Sequence, residues 1–318
     1  MRFVFRADAS EILGTGHVMR CLALAEEAIS RGHDCVFVGR INEKLWIKRK
    51  LKELGIQKIV DEPNLFAPNT KTDILVLDSY TEPFDSLYNQ PEKWKLLVAI
   101  SDEDTPEYNS SIEIRQSVIE IEYSTQKREI YSGPDFLLLR REIKKPTHKI
   151  QSDKPLSIVI VGGGTDIYDF SYVMGSLVDE VCIAQEIHLF SKNNAFLSKR
   201  NNVKIHPLGM HLHQISPDLA LVTASCTSLE FLAREVPIGI VCAVENQKKL
   251  YQELGERKLA IQLGDYQKNI GWRINYLKTA EFLTSAVLRK ELMNNIKDLI
   301  DLKGASRVVE ILEARATE

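Results

Sequence analysis

The feature that most constrains this chain is a set of short, almost continuously apolar runs. They are "DILVLD" (73–78), "KLLVAIS" (95–101), "LSIVIVGGGTD" (156–166), "DLALVTA" (218–224) and "IGIVCAV" (238–244). A strand that is apolar on both faces must be covered on both, the condition of a strand inside a parallel sheet. "RFVFRA" (2–7), "CVFVG" (35–39) and "EIHLFS" (186–191) read as further strands. Helical patterns lie between them. In "VMRCLALAEEAISRG" (18–32), Val18, Cys21, Leu22, Ala25, Ala28 and Ile29 recur at helical spacing, and Gly32 is a stop signal. Residues 43–55, 168–181 and 226–237 read the same way. The alternation predicts an α/β chain with doubly wound, Rossmann-like sheets.

The rhythm breaks at "REIKKPTHKIQSDKP" (141–155), which is polar, lacks periodicity and holds two prolines. It reads as a linker. The expected division is a domain over 1–145 and a second over 156–318, with a mostly helical tail from 273 to 314. Each domain carries a glycine loop after its first strand. Ligands of such sheets bind at the carboxyl ends of the strands, so a cleft faced by both domains is the expected site.

The chain's 318 residues suffice for two such domains, and its balance of 44% hydrophobic and 27% charged residues is that of a folded globular protein. A net charge of −3 points to no nucleic-acid or anionic-membrane partner. Cysteines at 21, 35, 182, 226 and 242 are odd in number and form no CxxC pair, which speaks for a reducing compartment and against a zinc site. With no signal-like N-terminus and no apolar run of membrane length, the expected location is cytoplasmic. The two histidines of "HLH" (211–213) do not share a face, so no metal site is expected there.

In "RADASEILGTGHVMRCLALA" (6–25), Gly14 and Gly16 precede a helix start, where backbone N–H groups and the helix dipole favour an anion. A dinucleotide fingerprint fits poorly, because the third glycine and the acidic residue after the second strand are missing. A P-loop is excluded by the absence of "GK[ST]". His17 sits at the positive end of the helix dipole, which favours the neutral form that a general base needs. A capping or packing histidine is an equally weighted alternative. Asp78 and Tyr80 in "LDSYTEP", and the acidic run in "ISDEDTPE", lie at strand ends; each can serve a ligand or simply be solvated. In the second half, Gly163, Gly164, Thr165 and Asp166 form another glycine loop. Ser225, Cys226 and Thr227 open a helix, again an anion site. Glu230 can accept from a ribose diol, or can close a capping box with Thr227.

These motifs together resemble the UDP-sugar hydrolases of pseudaminic acid biosynthesis (PseG-like), relatives of the MurG-type GT-B glycosyltransferases. The resemblance runs in order through the GxGHxxR loop, "LDSY", "SDED", "GPDFLLLRREI", "GGTD", "TASCTSLE" and "ENQ", over about residues 2–250. It implies a GT-B architecture with a UDP-sugar as small-molecule partner, and no cofactor or metal. It implies that His17 activates a water at the anomeric carbon, with Tyr80 and Asp8 beside it. Gly14, Gly16, Arg20, Asp78 and Asp102 would bind the sugar, and Glu230, Asn246 and Gln247 would hold the ribose and diphosphate. A glycosyltransferase of the same fold is the alternative. Ser101 stands where the family commonly has the first Asp of a pair.

Overall fold

The structure is a computed structural model. It describes residues 1–10, 13–41, 45–56, 58–102, 107–121, 124–125, 128–145, 157–181, 184–192, 202–209 and 212–318. Most of the expected linker, Cys182, His211 and residues 103–106 of the acidic run lie outside the described residues.

Two compact units emerge, Met1–Arg141 joined by Asp301–Glu318, and Glu142–Ile300. In the first, the strands are β1 (Arg2–Ala7), β2 (Asp34–Val38), β3 (Lys58–Val60), β4 (Asp73–Asp78), β5 (Leu96–Ser101), β6 (Ile112–Arg115), β7 (Ser124–Thr125) and β8 (Arg128–Tyr131). They form one sheet in the order β3-β2-β1-β4-β5-β6-β8-β7, parallel except where β7 meets β8. The chain steps from β1 outward through β2 and β3, then crosses to β4 on the other side of β1. The carboxyl ends of β1 and β4 are therefore the switch point of this sheet, where ligands of open α/β sheets bind.

Helices α1 (Gly16–Ser30) and α2 (Leu45–Glu53) belong to this unit. β1 and β4 are buried almost throughout because their side chains meet core on both faces. β6 and β8 were not anticipated. "IEIR" alternates apolar and charged residues and "REIY" opens with two adjacent charges, as strands near a sheet edge can.

The second unit repeats the plan. Its strands are β9 (Ser157–Val161), β10 (Glu186–Phe190), β11 (Val203–His206), β12 (Leu219–Thr223), β13 (Ile238–Cys242), β14 (Ile261–Gln267) and β15 (Gly271–Ile274). Their order is β11-β10-β9-β12-β13-β14-β15, with only β14 and β15 antiparallel. The switch point lies between β9 and β12. Helices α3 (Phe170–Val181), α4 (Cys226–Ala233), α5 (Lys248–Glu256), α6 (Tyr276–Thr284) and α7 (Ala286–Ile296) complete the unit. The expected helical tail thus begins one strand too early, since 271–274 closes a hairpin.

The domain boundary also needs correcting. The last helix, α8 (Gly304–Thr317), belongs to the first unit rather than ending the second. Its Ala305, Val308, Val309, Leu312 and Ala316 share one core with Phe3, Leu22 and Ala25. Gly304 allows the approach, for a Cβ there would lie 2.2 Å from the Leu137 carbonyl oxygen. Arg31 and His33 both reach Glu313, at 2.8 and 2.6 Å. Truncating the fully buried Leu312 leaves a cavity, so Leu312→Ala is expected to cost about 2–5 kcal/mol and to lower the thermal midpoint by several degrees. The exposed Leu277→Ala should stay within about 0.5 kcal/mol of wild type. Equal behaviour of the two variants in a melting experiment would contradict the packing of α8.

Candidate active site

Register alone brings the first cluster together. Ala7 at the end of β1 pairs with Asp78 at the end of β4, so the loop after β1 and the "DSY" turn leave the sheet side by side. The loop turns at Gly14, which has φ of +75° and donates its N–H to Ser10 O. α1 starts at Gly16 with no side-chain cap from Thr15 and no acidic residue in its first turn. Its first backbone N–H groups thus have no partner within the helix.

His17, only 4% exposed, is the second residue of α1. Its Nδ1 lies 2.5 Å from Oδ1 of Asp78, which is fully buried. Arg20 NH2, which can only donate, lies 2.9 Å from the same nitrogen; the carboxylate contact is the shorter and favours an Nδ1–H, so we assign the proton there, which leaves the lone pair on Nε2. Three residues along α1, Arg20 forks Asp78. Nε donates to Oδ2 at 2.8 Å and NH2 to Oδ1 at 2.7 Å. Its NH1 donates to Asp102 at 3.1 Å. Tyr80 donates its hydroxyl to the same Asp102 oxygen at 2.5 Å and meets the His17 ring nearly edge-on, 4.4 Å between centroids. Burial alone would push the Asp78 carboxyl up. Arg20 and His17 outweigh it and hold the group below the ordinary carboxylate value.

Asp8 stands in a second net at the same end of the sheet. Both its oxygens accept from Arg6, at 2.6 and 2.9 Å, and Arg40 N–H adds a third bond. Arg6 also pairs with buried Glu82 at 2.8 Å. Burial raises the Asp8 carboxyl, but these donors overcome it and the net shift is downward. Ser101 donates to buried Glu113, which also accepts from Arg115 and Arg128.

Two of the residues expected at the sugar are buried. Asp78 has no exposed surface and faces His17 and Arg20, and Arg20 donates to the carboxylates of Asp78 and Asp102. Arg6, Glu82 and Glu113 were not anticipated as part of the site. A charged residue breaking the apolar run of β1 was the available signal for Arg6.

The second cluster sits at the β9/β12 switch point. Gly163, with φ of +77°, lies so close to the next strand end that a Cβ there would be 3.7 Å from Thr223 Oγ1 and 4.0 Å from Ser225 Oγ. The two loops singled out in this half are therefore neighbours. Gly164 and Thr165 are part-exposed beside them. Ser225 precedes α4 without a side-chain cap bond, and Cys226 and Thr227 form its first turn. The capping box is not formed, because Thr227 lies inside the helix. Glu230 is buried near Arg234, whose own value burial lowers against the pull of Glu230. Asp166 is fully buried, accepting from Ser171 N–H and Ser191 hydroxyl at 2.9 Å each, and so holds the loop. Gln247 pins its own turn by accepting from Ala243 N–H at 2.9 Å, while Asn246 is exposed. Among the described residues no group of three or more His, Cys, Asp or Glu stands together as a metal site, and no helix is long and apolar enough to cross a membrane.

The fold defines the class. The chain superposes over 99% of its length on 99% of the glycosyltransferase of kitacinnamycin, with a TM-score of 0.65 at 12% identity. Against the spinosyn rhamnosyltransferase SpnG complexed with thymidine diphosphate the TM-score is 0.58 at 10% identity, over 98% of this chain and 100% of that one. This is the two-domain α/β architecture of GT-B enzymes.

Sequence likeness narrows the neighbourhood. The chain is 22% identical over 275 residues to the UDP-2,4-diacetamido-2,4,6-trideoxy-β-L-altropyranose hydrolase of Campylobacter jejuni, covering 82% of this chain and 99% of that enzyme. It is 23% identical over 283 residues to an uncharacterised protein of Methanocaldococcus jannaschii, where the match covers 80% of this chain but spans only 58% of the relative's length. No family model matches the chain.

Proposed function

We propose that the protein hydrolyses a UDP-sugar at the anomeric C–O bond, releasing UDP and the free sugar, in the formation of a nonulosonic acid such as pseudaminic acid or of a related surface glycan. One observation carries the reading: His17 Nδ1 set against the buried Asp78 carboxylate, which directs the basic lone pair to Nε2. In this scheme Nε2 takes a proton from water as the water oxygen bonds to the anomeric carbon. The C–O bond to UDP breaks, and its electron pair leaves with the diphosphate. Tyr80 and Asp102 steady the imidazole from the side, and the ionised Asp8 accepts from sugar O–H or N–H groups. The 163–165 loop and the α4 N-terminus (Ser225, Cys226, Thr227) donate to the departing diphosphate. Glu230 and Asn246 are assigned to the nucleoside side. The likeness to the Campylobacter jejuni hydrolase supports both the nucleotide and the choice of water as nucleophile.

The alternative is transfer to an acceptor, favoured by the glycosyltransferases that share the fold over the whole chain. The test incubates the protein with UDP-linked N-acylated deoxysugars and no acceptor. Free reducing sugar and UDP in equal amounts are the expected result. Release of UDP only after an acceptor is added would replace hydrolysis by transfer.

A further inference from the structure

We propose that Tyr168, stacked on Tyr266 and backed by Trp272, is a positioning residue that clamps the turn after the 163–165 glycine loop, so that the β14–β15 hairpin fixes the backbone N–H groups assigned to the diphosphate. The proposal rests on that assignment and deepens it. Its ground is a ring stack that joins distant stretches of one unit. The Tyr168 and Tyr266 rings lie 3.7 Å apart between centroids and 6° from parallel. Trp272 stands edge-on to both, at 6.5 and 5.2 Å. Its Nε1–H donates to the Tyr168 carbonyl at 2.9 Å, across 104 residues of sequence. One partner thus holds the ring of Tyr168 and the other its backbone.

The turn needs holding. Asp166, Tyr168 and Asp169 have φ of +46°, +53° and +52°, the left-handed region that residues with a Cβ seldom enter. Such a run persists only where its surroundings overdetermine it. From the inside, Asp166 accepts from Ser171 N–H and Ser191 hydroxyl, and a Cβ on Gly162 would lie 2.8 Å from Asp166 Oδ1. From the outside the hold is aromatic. Tyr266 and Trp272 are register partners across the hairpin, whose turn uses Asn269 and Gly271 at positive φ, so each arm of the hairpin supplies one contact to Tyr168. Trp272 also meets the buried Phe170 at 5.4 Å, which anchors the hairpin to the core of the unit. Tyr168 itself is 44% exposed, so its ring adds little to that core. Gly163, Gly164 and Thr165 run directly into this turn, and a turn free to swing would carry their N–H groups with it. Amides already aligned bind an anion, whereas amides that must first be ordered lose affinity.

The test is a double-mutant cycle on the full chain, read as UDP affinity by calorimetry. Tyr168→Ala and Tyr266→Ala are each expected to weaken UDP binding about 3–10-fold, the range of a lost aromatic pair, and the double variant to weaken it no further than the larger single effect. Tyr168→Phe keeps the ring and should stay within about twofold of wild type. Tyr168→Gly suits the left-handed backbone but lacks the ring, and should bind no better than Tyr168→Ala. In turnover of a UDP-sugar, Tyr168→Ala should raise KM and leave kcat within about twofold of wild type, because the loop is ordered when the nucleotide binds. Wild-type affinity in Tyr168→Ala, recovery in Tyr168→Gly, additive losses in the double variant, or a fall in kcat with KM unchanged overturns the proposal. If wild type does not bind UDP, the nucleotide assignment fails, and amide hydrogen exchange of residues 163–166 then decides the clamp. Faster exchange in Tyr168→Ala than in wild type and Tyr168→Phe supports it, and equal rates overturn it.

Discussion

Replacing His17 by alanine is expected to lower the turnover of a UDP-sugar by about 10²–10⁴-fold, the usual contribution of a positioned general base. UDP affinity should change little, because the groups assigned to the diphosphate lie on the other unit's loops, around Gly163 and Ser225. The variant should also fold. The cavity is modest, and Asp78 keeps both bonds from Arg20. Steady-state kinetics alongside calorimetry with UDP separates the two effects. Wild-type turnover in His17→Ala would remove the base from the scheme.

Asp78→Asn is the second large effect, and it acts in two ways. The amide no longer specifies the Nδ1–H tautomer, so turnover should fall by as much as about 10⁴-fold, as in other base–carboxylate pairs. It also leaves the buried Arg20 without its fork, and breaking a buried ion pair from one side costs about 3–5 kcal/mol. The pH dependence follows from the sign of the shift. The Asp78 carboxyl sits below its ordinary 3.8 in the folded protein. Its stabilisation is therefore complete above that pH and fades as pH falls through the lower folded value. Melting curves of Asp78→Asn should show a lower midpoint at pH 7 and a weaker dependence on acid below pH 4 than wild type. An unchanged midpoint at pH 7 would contradict the buried pairing.

Much of the frame was legible in the sequence because apolar runs buried on both faces have few alternatives. The runs 73–78, 218–224 and 238–244 contain β4, β12 and β13. The glycine loop before α1 was legible for a similar reason, since Gly14 adopts a backbone conformation that few other residues tolerate. What escaped were facts of pairing across long separations. Arg20 and Asp78 are 58 residues apart, and nothing in either stretch tells that one is the other's counter-ion. Asp166 looked like a nucleotide contact because of its loop, and its bonds to Ser171 and Ser191 were not legible there. α8 has an ordinary amphipathic stripe that any sheet could cover, and it is specific contacts such as Gly304 against Leu137, Glu313 against Arg31 and His33, and Arg315 against Glu129 that tie it to the first unit. Charged strands such as β6 were missed because Glu113 is buried by ion pairing rather than by apolarity.

The most direct measurement of the central claim is hydrolysis of a UDP-sugar in ¹⁸O-labelled water without an acceptor, followed by mass spectrometry of both products. The account predicts one ¹⁸O at the anomeric position of the released sugar and none in UDP, with the labelled sugar reduced in His17→Ala. Label in the UDP phosphate, or no free sugar until an acceptor is supplied, would contradict it.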